Sequence, residues 1–334
     1  MNTILTAITP YKIIEHGPSP EFPAHITLDP ANVCNHRCPK CYFRHTSDAD
    51  LGVERDRKGY ILAYEAIDRL FTDIAGKVRA VTLIGGGEPL MHPRIEDIIR
   101  RGLEHGFELG MVTNGGIRKE VRGLEWIRVS LDATTPDVYR YTHGVDTLDQ
   151  TIENIRYYVA HNKFVGMSFL IYPENHHQTL DAARLAAGLG VGYIQFKPVL
   201  SDECGQEHLP YAAKVSEMLA KAKELTRDDF QIIDLWHRVS DLVTCTRNYT
   251  RCGIQDYVTQ VGANGEVFIC CIYKYNNAYS IGNITERSFV EIWKGERRKK
   301  LQGINVASCP RCFHDRQNEL IEYMRSDKLH ANFI

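Results

Sequence analysis

From His25 to Pro198 the chain alternates between short apolar or β-branched runs and longer stretches whose apolar residues recur every three or four positions. The short runs are His25–Leu28, Ala80–Ile84, Glu108–Val112, Trp126–Leu131, Val165–Ile171 and Tyr193–Phe196. Helical periodicity fills Tyr60–Ile74, Pro93–His105, Leu148–His161 and His177–Leu189 between them. Strands alternating with helices predict βα units and a parallel sheet, with any chemistry at the carboxyl edge of the strands. The alternation weakens around Leu200–Pro210. Tyr211–Arg227 reads as a helix, and 228–251 is ambiguous. A different pattern starts at Cys252. Tyr257–Val261 and Glu266–Cys270 read as a hairpin closed by Gly262-Ala263-Asn264-Gly265, where Asn-Gly supplies positive φ. One helix is expected over Phe289–Leu301, with Arg298, Lys299 and Lys300 suited to its C-terminal dipole. The expected division is a lead segment over 1–24, an α/β domain over 25–235 and a small domain over 236–334.

Composition narrows the classes. At 334 residues and 43% hydrophobic content the chain has enough for one large core and a smaller one. A net charge of −2 gives no argument for nucleic acid or an anionic membrane surface. No apolar run approaches spanning length. The start, MNTILTAITPYKII, lacks a basic region and is interrupted by Thr6 and Pro10, so no export signal is expected. Ten cysteines in such a chain point to a reducing cytoplasm, and to metal or catalysis rather than a disulfide framework.

Those cysteines cluster. Cys34, Cys38 and Cys41 lie in Cys34-Asn35-His36-Arg37-Cys38-Pro39-Lys40-Cys41, just after the first strand. Three thiolates so close can hold three corners of a 4Fe-4S cluster and leave the fourth iron open to a ligand. A zinc knuckle completed by His36 or His45 is the alternative. Gly85-Gly86-Gly87-Glu88-Pro89 follows the second strand, Thr113-Asn114-Gly115-Gly116 the third, and Ser130-Leu131-Asp132 ends the fourth. Each also suits an ordinary turn or cap. Lys197 ends the sixth strand, placed to bind a substrate, accept a proton or simply be solvated. Near the C-terminus Cys252, Cys270, Cys309 and Cys312 have the donor count of either a zinc site or an iron–sulfur site. Cys204, Cys245 and Cys271 remain; small buried apolar residues are the ordinary use of such cysteines.

The C-x3-C-x2-C spacing and the glycine–acid turn one βα unit later resemble the radical S-adenosylmethionine (radical SAM) enzymes. The cysteine set from Cys252 to Cys312 resembles the auxiliary-cluster region of their SPASM and twitch subfamilies, with the shorter twitch form the closer match. The resemblance implies an α/β fold: a partial (β/α)6 TIM barrel with a small C-terminal twitch domain of hairpin and helix. It implies two 4Fe-4S clusters, one on Cys34, Cys38 and Cys41, the other on Cys252, Cys270, Cys309 and Cys312, with Cys271 able to replace Cys270. It implies S-adenosylmethionine contacts at Gly86, Gly87, Glu88, Thr113, Asn114, Ser130 and Asp132. The family usually has an aromatic before the third cysteine; here Lys40 stands there, and Tyr42 and Phe43 are expected to pack by the adenine instead.

The radical's fate is left open among three outcomes. Dehydrogenation of a carbinol in a small polar substrate (sugar, aminocyclitol or nucleoside) comes first, with Lys197 or a histidine as base and the auxiliary cluster as electron acceptor. Epimerisation would use Cys245 or Cys204 as hydrogen-atom donor. Modification of a ribosomal peptide is the third, disfavoured because the residues before the first strand are too few for a leader-binding domain. A flavodoxin or ferredoxin is the implied reductant. A non-enzymatic zinc module using both cysteine sets is the remaining alternative.

Overall fold

The computed structural model describes residues 13, 15–17, 19–43, 56, 58–199, 205–244, 247–309, 312 and 314–326. Seven parallel strands follow one another in chain order: β1 (His25–Leu28), β2 (Ala80–Leu83), β3 (Glu108–Thr113), β4 (Trp126–Ser130), β5 (Val165–Ile171), β6 (Tyr193–Pro198) and β7 (Gln231–Asp234). The expected α/β fold with a partial TIM barrel is present. Between and after these strands run α1 (Tyr64–Ile74), α2 (Ile95–Glu104), α3 (Pro136–His143), α4 (Leu148–His161), α5 (Thr179–Leu189), α6 (Ala212–Lys223) and α7 (Arg238–Thr244).

The C-terminal part extends the same sheet. β8 (Val258–Val261) pairs in parallel with the other side of β1, from His25↔Val258 to Leu28↔Val261. β9 (Glu266–Phe268) and β10 (Ser280–Asn283) continue antiparallel, so the order is β10-β9-β8-β1-β2-β3-β4-β5-β6-β7. Among the described residues three helices follow: α8 (Phe289–Lys294), α9 (Glu296–Gln302) and α10 (Asp315–Arg325).

Period-two alternation sorts the residues of the sheet. Ile26, Leu28, Val81, Leu83, Leu109, Met111, Ile127, Val129, Met167, Phe169, Ile194 and Phe196 are buried in one apolar core with Ile67, Leu70, Phe71, Ile98 and Ile155 of the helices. The opposite face is polar. Ser130, Ser168 and Gln195 pair across in one row, and Thr27 pairs with Thr82. At the amino end of the strands this face is filled by aromatics. Gly110 and Gly166 lie opposite Trp126 and Tyr193, whose rings occupy the space a Cβ would need. The polar lumen therefore opens at the carboxyl end.

Three expected helices differ, the one read over Tyr211–Arg227 being Ala212–Lys223. The first starts at Tyr64 rather than Tyr60, because Ile61 bridges to Ala31 and Ala63 is extended. The single helix expected over Phe289–Leu301 is two, broken where Gly295 takes φ −72°, ψ 158°; α8 opens on a capping box between Ser288 and Glu291.

Candidate active site

The loop after β1 carries Cys34, Cys38 and Cys41, all partly buried free thiols. Cys41 N donates to Cys38 O at 3.0 Å, which folds the loop back on itself. Cys34 Sγ accepts from His36 N at 3.4 Å and from Asn114 Nδ2 at 3.6 Å. Cys38 Sγ lies 3.9 Å from His143 Nδ1. Burial pushes the Cys34 and Cys38 thiols up, and the charges of neighbouring thiols, Cys41 among them, push in the same direction. Crowded sulfurs that resist ionisation alone are a donor set for a positively charged centre, which deprotonates its ligands on binding. Three cysteines with partly exposed sulfur fit a 4Fe-4S cluster. His36, Cys38 and His143 have donor atoms within 4.8 Å of one another, the geometry nearest to the zinc alternative. His143 Nε2 already accepts from Asp132 N at 3.1 Å, however, and His45 lies outside the described residues.

The glycine turn packs directly on this loop. A Cβ on Gly87 would run into the backbone of Asn32 and Val33, and one on Gly86 into the Tyr275 ring. Glu88 N donates to Val33 O at 2.8 Å. The Glu88 carboxylate is buried and faces inward: it accepts from Leu90 N at 3.1 Å, Thr113 Oγ1 at 2.7 Å and Asn114 N at 2.7 Å. Burial raises it to about 6, against those donors. Glu88 and Thr113 thus tie the ends of β2 and β3 together. Asn114 Nδ2 also donates to Asn35 Oδ1 at 2.8 Å, which anchors the cysteine loop to β3.

Tyr42 and Phe43 pack toward the C-terminal part. The Tyr42 hydroxyl donates to Ile272 O at 3.3 Å, and Phe43 lies under the Lys274 ammonium, 4.5 Å from the ring centre.

Further along the polar face, Ser130 Oγ is 3.5 Å from Ser168 Oγ, and Arg128 Nη1 donates to Gln195 Oε1 at 3.3 Å. Asp132 is buried; burial raises it to about 7, while Leu170 N at 2.7 Å, the Lys197 charge and the Tyr172 hydroxyl pull the other way. Lys197 is half-buried and held down to about 7 by desolvation and by Arg128 and Arg238, with Asp132 opposing. Arg238 also lines a 410 Å3 cavity with His237, Asp241, Cys312, Asp315 and Arg316. The cavity lies between α7 and α10, with Cys312 on its wall. Cys204 and Cys245 lie outside the described residues.

Cys252, Cys270, Cys271, Cys309 and Cys312 are free thiols near enough to one another for their charges to interact. Burial and neighbouring thiols raise Cys312, and burial raises Cys252 to about 11. The Cys270 and Cys271 thiols lie against each other, and His314 sits beside Cys271. A crowded all-sulfur set of this kind fits a second cluster, and both Cys270 and Cys271 are within its reach.

One set of residues has no local signal in sequence. Asp29, at the end of β1, is fully buried and paired with Lys274 Nζ at 2.7 Å. Its other oxygen accepts from the Tyr275 hydroxyl and from Gly86 N, both at 2.8 Å. Tyr275 sits at φ +66°, an uncommon conformation for an aromatic residue. His143 is likewise unannounced; only Gly144 after it, a helix-ending glycine at φ +68°, marks the place.

A partial barrel with a three-cysteine loop at the mouth, followed by a second cysteine cluster, defines a radical SAM enzyme. The chain matches the Radical SAM superfamily over residues 28–186 and the SPASM iron–sulfur cluster-binding domain over 252–313, and is a radical SAM enzyme with a SPASM domain; its cofactors are S-adenosylmethionine and iron–sulfur clusters. It is 24% identical over 305 residues to the tungsten-containing aldehyde ferredoxin oxidoreductase cofactor-modifying protein of Pyrococcus furiosus, covering 82% of this chain and 81% of that one. It is 24% identical over 294 residues to the antilisterial bacteriocin subtilosin biosynthesis protein AlbA of Bacillus subtilis, covering 84% of this chain and 61% of that one. The fold is that of Streptococcus suis SuiB bound to the precursor peptide SuiA, with a TM-score of 0.66 at 14% identity over 99% of this chain and 80% of that one. Among the described residues, no helix is long and apolar enough to cross a membrane.

Proposed function

We propose that this enzyme dehydrogenates a carbinol in a polar substrate held in the lumen, with Lys197 as proton acceptor. Cys34, Cys38 and Cys41 would hold the first cluster, and Tyr42, Phe43, Gly86, Gly87, Thr113, Asn114 and Ser130 would surround S-adenosylmethionine. Cys252, Cys309 and Cys312, with Cys270 or Cys271, would hold the second cluster. When bound, these groups supply a hydrogen-abstracting radical and an acceptor for the electron left on the substrate. On this view residues 25–235 form the catalytic barrel and 236–334 the auxiliary domain, with 1–24 leading in; a flavodoxin or ferredoxin is the reductant.

The observation that carries the proposal is Lys197 at the carboxyl end of β6, half-buried and held near 7. A lysine in that state accepts a proton at neutral pH, which an ordinary lysine does not. Asp132, two residues beyond β4, is near enough for its charge to act on Lys197, and burial raises it to about 7. Ser168 and Gln195 supply a hydroxyl and an amide for a hydroxylated substrate.

Three measurements test this. Anaerobically reconstituted protein should contain about eight irons for two four-iron clusters; colourless protein with stoichiometric zinc would sink the enzyme reading. Reduced protein should release 5′-deoxyadenosine. Turnover in deuterated water should leave no deuterium on the oxidised carbon, whereas label there means epimerisation, with Cys204 or Cys245 as donor.

A peptide substrate is the second reading, favoured by what two similar proteins are named for: SuiB was captured with a precursor peptide and AlbA serves bacteriocin biosynthesis. Product formation from a short peptide, with none from polyols or nucleosides, would select it.

A further inference from the structure

We propose that His143 sets the reduction potential of the first cluster by donating its Nδ1–H to the Cys38 sulfur. The inference rests on the assignment of that cluster to Cys34, Cys38 and Cys41, and it is independent of the substrate.

The tautomer follows from the backbone. Asp132 N lies 3.1 Å from His143 Nε2, and a backbone amide can only donate. Nε2 therefore carries the lone pair, and the single proton of the neutral ring is on Nδ1. Nδ1 points at Cys38 Sγ, 3.9 Å away, within hydrogen-bond range for sulfur. A charged ring has no lone pair left for Asp132 N, so the same amide keeps the imidazole neutral.

The ring cannot easily turn away. His143 is buried, and its ring stacks on Tyr139 with centroids 4.3 Å apart and an interplanar angle of 22°. The Tyr139 hydroxyl is in turn fixed 2.8 Å from Thr151 Oγ1. The end of α3 is fastened to the cysteine loop itself: Arg37 N donates to His143 O at 3.0 Å. Gly144 follows at φ +68°, and a Cβ there would run into Arg37 O, so the close approach requires glycine. Asn114 also reaches one of these sulfurs: the two N–H groups of its Nδ2 serve Cys34 Sγ at 3.6 Å and Asn35 Oδ1 at 2.8 Å, a separate contact on a different cysteine.

A hydrogen bond to a ligating sulfur stabilises the more negative, reduced cluster and raises its potential. The test is an EPR-monitored redox titration of the reconstituted full-length protein, following the cluster whose signal changes on adding S-adenosylmethionine. His143→Phe keeps a ring to stack on Tyr139 and removes the donor. Its midpoint is expected to move to more negative potential at unchanged iron content, and His143→Gln, which keeps an N–H, to move part of the way back. An unchanged midpoint in His143→Phe overturns the proposal. Should that variant fail to load iron, pulsed EPR on the wild-type protein labelled with 15N-histidine decides. A weak nitrogen coupling that survives His36→Ala supports the hydrogen bond. No coupling, or the strong coupling of a nitrogen bound to iron, overturns it. A reduced wild-type protein with no four-iron signal at all removes the cluster assignment, and this inference with it.

Discussion

Glu88 and Lys197 show how position inside the barrel decides what a charged residue does. The glycine–acid turn points to Glu88 as an S-adenosylmethionine contact, and in the structure its carboxylate accepts from three internal donors. Glu88→Ala would leave Leu90 N, Thr113 Oγ1 and Asn114 N without that acceptor. At about 1 kcal/mol or more for each, the loss should be roughly 3 kcal/mol, read as a lower urea midpoint. Lys197 carries the opposite expectation, an effect on chemistry. Lys197→Met should reduce product about 100-fold or more while 5′-deoxyadenosine still forms. The lowered pKa gives the sign of the pH dependence. Below about 7 the ammonium is charged and cannot accept a proton; above it the amine is free. Product per 5′-deoxyadenosine should therefore rise with pH through that value, and a flat ratio would remove Lys197 from the base role. The cysteines were legible because a ligand loop writes its spacing into a few consecutive residues. His143 was not, since its partner is set by how α3 docks on the loop.

At the scale of elements, legibility tracked burial. β1 and β5 match their expected bounds, and β2, β3, β4 and β6 differ by no more than two residues at an end, because both faces of a central strand impose a strong pattern. β7 lay in the ambiguous stretch: it is four residues, Gln231–Asp234, none fully buried. The polar helix α3 and the late helix α10 also lacked a broad apolar stripe. The split between α8 and α9 turns on one glycine, which helical periodicity alone does not reveal. The glycine turn after β2 is the element most sensitive to a single atom. Gly87→Ala must push the turn off the backbone of Asn32 and Val33. Expected outcomes are weaker S-adenosylmethionine binding by equilibrium dialysis and reduced iron retention after reconstitution. Gly188→Ala, on α5 with open space around its Cβ, is the control and should change neither.

For the whole molecule, the two cysteine regions are joined by one sheet and one buried ion pair. Lys274 follows Cys270 and Cys271, and Asp29 precedes the loop of Cys34, Cys38 and Cys41. Removing one partner of such a pair leaves an uncompensated buried charge, a loss of about 3–5 kcal/mol. Lys274→Met should therefore lower the unfolding midpoint markedly. Adding Asp29→Asn to Lys274→Met removes the stranded charge and keeps an oxygen for the Tyr275 hydroxyl and Gly86 N, so it should recover much of the loss; a double variant no better than the single one would show that the pair is not the source. Nothing in local sequence announces this contact, because it joins residues at opposite ends of the chain.

The pairing of β8 with β1 has a consequence for how the protein is made. On the ribosome the first strand and its cysteine loop emerge early, but the neighbour on one side of that strand, and the cation for Asp29, arrive only after all seven barrel strands have been synthesised. Until then β1 is an open edge able to recruit another nascent chain. Loading of iron into the early loop would thus be safest after release, and a premature stop before Val258 would leave a polypeptide prone to aggregate rather than a smaller working enzyme.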